Sequence, residues 1–596
     1  MAEILSRRSG VSILKGVQRW LAPTPRSLRH PRVYVWFCLA LVYSAVVAVL
    51  GWNKIAGDPY ALADDARQHV VWMLRFTDPD LFVNDWIADY YQSVSPIGYV
   101  LIYRLFAVVG VSPLLLCKLL PPVLIVLTGA IAFLTVLEFS ALPAAGFVTA
   151  ALLTQSVEYT GTLASGTSKA FIYLVMLLFI YGWLRRSRGL TWGAIALQGI
   201  LYPQAVLLTA GVLVLGLVEQ REGRWSWARD RHRRQITLGG LLIATTVILY
   251  YGLSTSQFGP TMTRAQALMM PEFFAGGRAS FFKPSWLEGL LYGRGGLRLD
   301  TATTPVTNLL ALGLPLMLRW PRPFPLVKSV TRDLDLLLKL LLTAFFWFFA
   351  AHIVLFKLYL PSRYTGRFLL MVGVIAAGIV VVILADACLN WAIALLTPPR
   401  SSPVSLGFAA LALGFTIILG LGVVLYPLTM QNYPSTSMSQ GYAPDLYGVL
   451  AQQPKDSLIA GLSVETSNIP SYAQRSVLLS QEIAIPYHVG YYAEISQRAR
   501  DLIRAQYSAD PQVVSDFITQ YGVTHWLLEP LSFDIHTLNR DRWIQQYQPE
   551  AGQAVSALAN GNIPALQTLG DRCVAYQTAQ YTLLQTDCVV QALESL

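Results

Sequence analysis

Asp58-Pro-Tyr-Ala-Leu-Ala-Asp64-Asp65-Ala-Arg67-Gln-His69 follows closely on an apolar run from Val33 to Trp52. The pair decides the fold. A run of roughly 20 residues is long enough to cross a bilayer and longer than the apolar core of a cleavable signal. Arg7, Arg8, Lys15, Arg19, Arg26, Arg29 and Arg32 precede it, which predicts an uncleaved first helix with its basic end in the cytoplasm. The polar stretch then opens the first outer loop. Its adjacent carboxylates are costly at a membrane surface without a partner or a task. Two readings follow from the residues alone. In one, Asp64 or Asp65 is a general base, with Arg67 and His69 beside it. In the other, Asp64 or Asp65 caps a short helix, Arg67 is solvated, and His69 is structural.

Composition extends the membrane reading to the whole chain. Of 596 residues, 54% are hydrophobic and 13% charged, with a mean hydropathy of +0.48. A soluble chain carries about 25% charge. The net charge of +10 does not point to nucleic acid. Its Lys and Arg residues gather in short loops, as they do in multi-pass membrane proteins. Cys38, Cys117 and Cys388 lie in apolar stretches and read as inert core residues.

The loop 53–113 is expected outside the membrane. Asp64 to Phe76 reads as a short helix, with Val70, Val71 and Leu74 on one face. Tyr99 to Val109 is apolar but too short to span, which predicts an interfacial helix. Ten further spans are expected at 114–138, 143–157, 169–184, 190–203, 204–219, 236–253, 304–318, 336–356, 367–386 and 405–426. Basic loops at 185–188, 221–234 and 319–332 set the orientation. Eleven spans from a cytoplasmic N-terminus place the C-terminus outside. The outer segment 254–303 then carries Arg264, Arg278, Lys283, Arg294 and Arg298 on the side where positive charge is unusual. That predicts burial against another part of the protein, an anionic ligand, or a solvated loop.

Three parts emerge: a cytoplasmic basic N-terminus (1–32), a transmembrane domain (33–430) and a soluble outer α/β domain (431–596). A Ser-, Thr- and Pro-rich linker from Tyr426 to Pro444 joins the last two. In the outer domain, Ser457 and Ser476 open strand-like runs, and Tyr491 to Tyr507 is an amphipathic helix. Asp510-Pro511 starts the next helix and Gly522 stops it. Val523 to Leu528 reads as a buried strand. Cys573 and Cys588 flank a possible hairpin, and in an oxidising compartment a bridge there contributes roughly 3 kcal/mol. Two free thiols are the alternative.

A second constellation is Lys357-Leu-Tyr-Leu-Pro361-Ser362-Arg363-Tyr364-Thr-Gly-Arg367. Arg363 and Arg367 are four apart and share a face at a helix start. Arginines at a helix N-terminus suit an anion, phosphate above all. Interfacial anchoring by Lys357, Tyr364 and the arginines is the alternative. Gln155, Glu158 and Lys169, and also Tyr202-Pro203-Gln204, fall in outer loops that either face this site or are ordinary turns.

This order of parts resembles the GT-C glycosyltransferases, among them protein O-mannosyltransferases, aminoarabinose transferases of lipid A and oligosaccharyltransferases. Asp64-Asp65 is similar to the acidic motif of their first outer loop, and Arg363 to their lipid-phosphate-binding arginine. The chain lacks the Trp-Trp-Asp signature of oligosaccharyltransferases. Ser95-Pro96-Ile97-Gly98 stands where mannosyltransferases have His-Pro-Pro-Leu. The acceptor therefore does not carry over.

The resemblance implies a multi-pass enzyme of a plasma membrane, bacterial by analogy, with no nucleic-acid partner. It would transfer sugar from a polyprenyl-phosphate donor to a glycan, lipid or protein acceptor, with inversion. The base would be Asp64 ahead of Asp65. Arg363, Arg367, Lys357 and Tyr364 would hold the donor phosphate, with Arg67 and His69 near the carboxylates. A divalent cation on Asp64 and Asp65 needs ligands that the motif does not supply. The rival class is a transporter or flippase of lipid-linked sugars. It calls for ionisable residues in mid-membrane, whereas Glu138 and Asp386 fall near the ends of the expected spans.

Overall fold

Each apolar stretch of the first 430 residues folds into helix. The computed structural model describes residues 2–221, 224–397 and 403–595. Among the described residues six helices are long and apolar enough to cross a membrane: Pro31–Ala56, Pro113–Ser140, Arg231–Leu253, Asp335–Ile353, Ser362–Leu396 and the segment Pro403–Thr429. The other expected spans coincide with shorter helices, including Pro143–Gln155, Ile172–Leu184, Arg188–Leu201 and Gln204–Gly216. Thirteen or fourteen residues reach only about 20 Å, against a hydrocarbon core of about 30 Å.

The axis of the bundle is Ser362–Leu396, 35 residues long and buried along most of its length. It crosses Pro143–Gln155 at Gly378. A side chain there would overlap the Thr149 hydroxyl and crowd the Ala145 carbonyl, so only glycine allows this approach. The peripheral helices are the reverse. Leu411, Phe415, Ile418 and Leu421 of Pro403–Leu425 are exposed, as are Leu238, Leu242 and Leu249 of Arg231–Leu253. Such apolar surfaces are unfavourable in water and suit hydrocarbon. The chain is an integral membrane protein.

Asp386 is not at a helix end, contrary to the sequence expectation. Its helix continues to Leu396, because the apolar pattern runs on past the expected boundary. The carboxylate is buried, and Gln18 and Asn390 donate to it at 2.9 Å each. Gln18 comes from the N-terminal helix Ala2–Leu21, which packs on this end of the axis.

The loop after the first long helix breaks into pieces. The single helix expected over Asp64 to Phe76 is an α-helix, Asp64–His69, followed by a 3-10 turn, Val71–Phe76, with Val70, Val71 and Leu74 buried. Helices Trp86–Ser93 and Ile97–Val108 follow. The latter buries Tyr99, Tyr103 and Ala107 and exposes Leu101, Leu105 and Val108, as an interfacial helix does.

From Pro444 onward helices surround a five-stranded sheet. Its order is Ser476–Val477, Leu458–Ala460, His525–Leu528, Thr582–Gln585, Val574–Gln577. The first three strands are parallel and the last two antiparallel. Asp510 caps the helix Pro511–Tyr521, and Gly522 ends it in the left-handed conformation, as the sequence predicts. Cys573 and Cys588 are bridged.

The stretch 426–444 is more than a linker. Met438–Gln440 pairs antiparallel with Ala61–Ala63, immediately before the carboxylates. The Asp64 amide donates to the Ser437 carbonyl at 3.2 Å, and Gln440 Nε2 donates to Asp58 Oδ2 at 2.8 Å. Strand pairing satisfies backbone groups that an isolated three-residue segment would leave to solvent.

Candidate active site

Neither Asp64 nor Asp65 caps its helix. Ala63 holds the N-cap position, with no side-chain cap hydrogen bond. Neighbouring helical side chains diverge by about 100°, and these two take different partners. Asp64 pairs with Arg67 and accepts from the Ser439 hydroxyl at 3.4 Å. Arg67 then reaches Glu482 at 3.2 Å and donates to Asn468 Oδ1 at 3.0 Å. Glu482 also receives Gln68, and Arg278 at 2.5 Å. This network ties the acidic loop to the sheet region. Arg278, from the unusual basic segment 254–303, is thus occupied by burial against a carboxylate. Burial pushes the Glu482 carboxyl up to about 7, with Arg278 opposing, nearby Asp64 adding, and Arg67 opposing.

Asp65 faces the membrane bundle. It forms an ion pair with Lys169, from the turn Ser168–Phe171. Burial works to raise its carboxyl, but Lys169, then His69 and Arg363, outweigh this and hold it well below the usual carboxylate range. Burial pushes His69 down to about 4 against the pull of Asp65, with Lys169 and Arg363 pushing the same way. At neutral pH the pocket therefore holds an ionised Asp65 and a neutral His69. The His69 ring sits edge-on to Tyr91, with centroids 5.3 Å apart.

Arg363 and Arg367 lie in the first turns of Ser362–Leu396 and share one acceptor. Arg363 Nη1 donates to the Tyr202 hydroxyl at 3.2 Å and Arg367 Nη1 at 2.8 Å. The Arg363 guanidinium also stacks over Tyr359, 4.8 Å from the ring centroid. Arg367 is buried against Glu158 at 3.4 Å, and Arg298 approaches the same carboxylate at 3.8 Å. The Arg298 segment reaches this helix start at Gly366, where an added Cβ would lie 3.0 Å from Arg298 Cβ. Lys169, Arg298, Arg363 and Arg367 thus face Asp65 and Glu158. The positive excess stands at the N-terminus of a long helix, whose dipole adds to it.

Not every expected residue gathers here. Lys357 is exposed. Tyr364 is buried, with its hydroxyl donating to the Leu358 carbonyl at 3.0 Å, so it braces the helix start. Tyr202 and Tyr359 make the tyrosine contacts with the arginines. Gln155 is structural, donating to the Tyr43 hydroxyl at 2.6 Å. Glu158, Lys169 and Tyr202 came from short polar breaks between apolar stretches, a signal that does not distinguish a turn from a site. Asn468 and Glu482 carried no distinctive pattern at all. The carboxylates of Asp64 and Asp65 each meet a cation and do not converge. Among the described residues no three His, Cys, Asp or Glu side chains form a group fit for a metal.

No protein-family model matches the sequence, and no curated protein matches it. Solved structures do match. The oligosaccharyltransferase of Archaeoglobus fulgidus in its apo form aligns over 92% of this chain and 73% of its own, with TM-score 0.50 and 10% identity. The AglB structure from the same organism, in complex with an inhibitory peptide and a dolichol-phosphate, aligns over 87% and 72%, with TM-score 0.44 and 11% identity. Arabinofuranosyltransferase AftD from Mycobacteria aligns over 83% of this chain but 36% of its own, with TM-score 0.45 and 14% identity. The apo oligosaccharyltransferase is a glycosyltransferase of the GT-C type, and at TM-score 0.50 this chain resembles it in fold.

Proposed function

We propose that this protein is a GT-C membrane glycosyltransferase that moves a sugar from a polyprenyl-phosphate donor to an acceptor on the outer side of the membrane. One observation carries the reading. Asp65 pairs with Lys169, Arg363 and Arg367 share the Tyr202 hydroxyl, and Arg367 pairs with Glu158 of the helix Val157–Ala164, which packs on the Lys169 turn. This arrangement supports a base and a phosphate clamp acting in one neighbourhood. The fold shared with a glycosyltransferase supports the same conclusion.

The chemistry asks for few parts. An acceptor hydroxyl or amide attacks the anomeric carbon opposite the phosphate. The carbon–oxygen bond to phosphate breaks, and the lipid phosphate leaves with the electron pair. Asp65 takes the acceptor proton. Arg363 and Arg367 hold the leaving phosphate, where fixed positive charge counters the developing negative charge. Geometry supports Asp65 over Asp64 as base, because Asp64 is engaged in the Arg67–Glu482 network. Lys169 holds Asp65 ionised and aimed. The divergent carboxylates offer no common cradle for a divalent cation, and no step here runs through one.

The proposed arrangement has eleven spans, a cytoplasmic basic N-terminus (1–32), a membrane domain (33–430) and an outer α/β domain (431–596), in a bacterial plasma membrane. The outer domain docks on the acidic loop through Asn468 and Glu482, which meet Arg67 and Gln68. A sugar-transfer assay with purified protein and synthetic polyprenyl-phosphate sugars tests the function. No transfer to water or acceptor, together with movement of the lipid between the two leaflets of proteoliposomes, would favour a flippase instead.

A further inference from the structure

At the opposite end of the bundle lies a second polar cleft that this chemistry does not use. It has a volume of about 310 Å³ and is lined by Arg26, Arg29, Arg185, Glu138, Leu134 and Tyr181, among others. Arg26 and Arg29 precede the helix Pro31–Ala56, whose far end leads into the Asp65 loop. At 1.5 Å per residue, that 26-residue helix separates the two sites by roughly 39 Å. Glu138 is in the last turn of Pro113–Ser140, and Arg185 follows Ile172–Leu184. All these helix ends meet at one boundary. Trp36 marks it too, donating from its indole to the Trp20 carbonyl at 3.1 Å. Tryptophan favours the membrane–water interface.

The charges do not balance. Glu138 pairs with Arg185 at 3.1 Å and lies 3.8 Å from Arg26. Arg29 has no carboxylate within ion-pair distance among the described residues. Three guanidiniums against one carboxylate leave two net positive charges around a cavity. Arg26 and Arg185 keep 37% and 48% of their side-chain surface exposed, so both can still reach a ligand. Leu134 and the Tyr181 ring give the cleft an apolar wall. Basic pockets between helices at a headgroup boundary select phosphate diesters, because guanidinium forks match their oxygens.

We propose that this cleft holds the phosphate headgroup of an anionic phospholipid. The acyl chains lie along the exposed apolar helix faces and the phosphate meets Arg26, Arg29 and Arg185. The proposal does not depend on what the Asp65 site does.

The test uses the full-length protein in detergent, with short-chain phosphatidylglycerol, short-chain phosphatidylcholine and inorganic phosphate as separate probes. Binding is read by native mass spectrometry and by the thermal midpoint. Phosphatidylglycerol should bind at least about tenfold more tightly than phosphatidylcholine, and salt should weaken it. Arg29→Gln breaks no ion pair recorded in the fold and should lower the preference several-fold. The pair Arg26→Gln with Arg29→Gln should abolish it. Equal binding of the two lipids overturns the proposal. So does a double variant that folds and keeps the preference. Inorganic phosphate that matches phosphatidylglycerol also overturns it, by assigning the cleft to a free anion.

Discussion

Asp65 meets Lys169 across two segments that the sequence keeps far apart. The acidic motif thus divides its labour. Asp65 turns to the bundle and its arginines, while Asp64 turns to Arg67 and the sheet region.

Asp65→Asn keeps shape and removes basicity. Turnover should fall about 10²-fold or more, as for lost general-base catalysis, with donor binding nearly unchanged. Asp64→Asn should leave turnover much closer to wild type and lower the thermal midpoint instead. Sugar transfer by the two purified variants separates them. Equal, full activity in both would remove the carboxylates from the chemistry.

Arg363→Ala should weaken binding of the lipid-phosphate donor by about 1.5–3 kcal/mol, the range for a charge-assisted contact. Arg363→Lys should recover only part of it, since the planar fork is lost. Tyr202→Phe should have a smaller effect, because both guanidiniums remain. Titration of the donor against each variant measures this. Unchanged affinity in all three would leave the arginines as membrane anchors.

The low Asp65 carboxyl has a kinetic consequence. Its folded value is depressed, so the ionised form and its stabilising pair are present above the ordinary value of about 3.9 and are lost only as the pH falls below it. No acid limb from Asp65 is expected between about pH 5 and 8. Lys169→Gln removes the main opposing charge and lets burial prevail. The acid limb of kcat should then move upward, which a pH–rate profile reads directly.

Glu482 behaves in the opposite sense. Its folded value is raised to about 7, above an ordinary glutamate. The folded state therefore holds the proton longer than the unfolded one. Stability from this group is full below about pH 4.3 and declines as the pH rises through about 7. Glu482→Gln should flatten that decline. Thermal midpoints of the two proteins across this window check it, and parallel curves would reject it.

The topology is testable separately. A single cysteine at Ser187, which caps the helix Arg188–Leu201, should label from the cytoplasm, and one at Ser515 from outside. Labelling of both from one side would refute the eleven-span arrangement.

Local chemistry was legible in the sequence. Apolar runs marked the helices because length and hydropathy alone determine which segments tolerate a bilayer. Asp510-Pro511 and Gly522 marked one helix exactly at its ends because caps are local events. Arg363 and Arg367 lay on one face because helical spacing puts them there. What the sequence left open were choices between partners. Whether Asp64 or Asp65 faces the arginines depends on how Asp64–His69 is rotated, and that is set by a strand, Ala61–Ala63 with Met438–Gln440, closed across most of the chain. Lys169, Tyr202 and Glu158 joined the candidate site only because separate helix ends converge at the start of Ser362–Leu396. Glu482 became part of the acidic network because the sheet region docks on the outer loop. Ion pairs between distant segments have no periodicity to read, since their energy depends on distance and burial that only the packed chain creates.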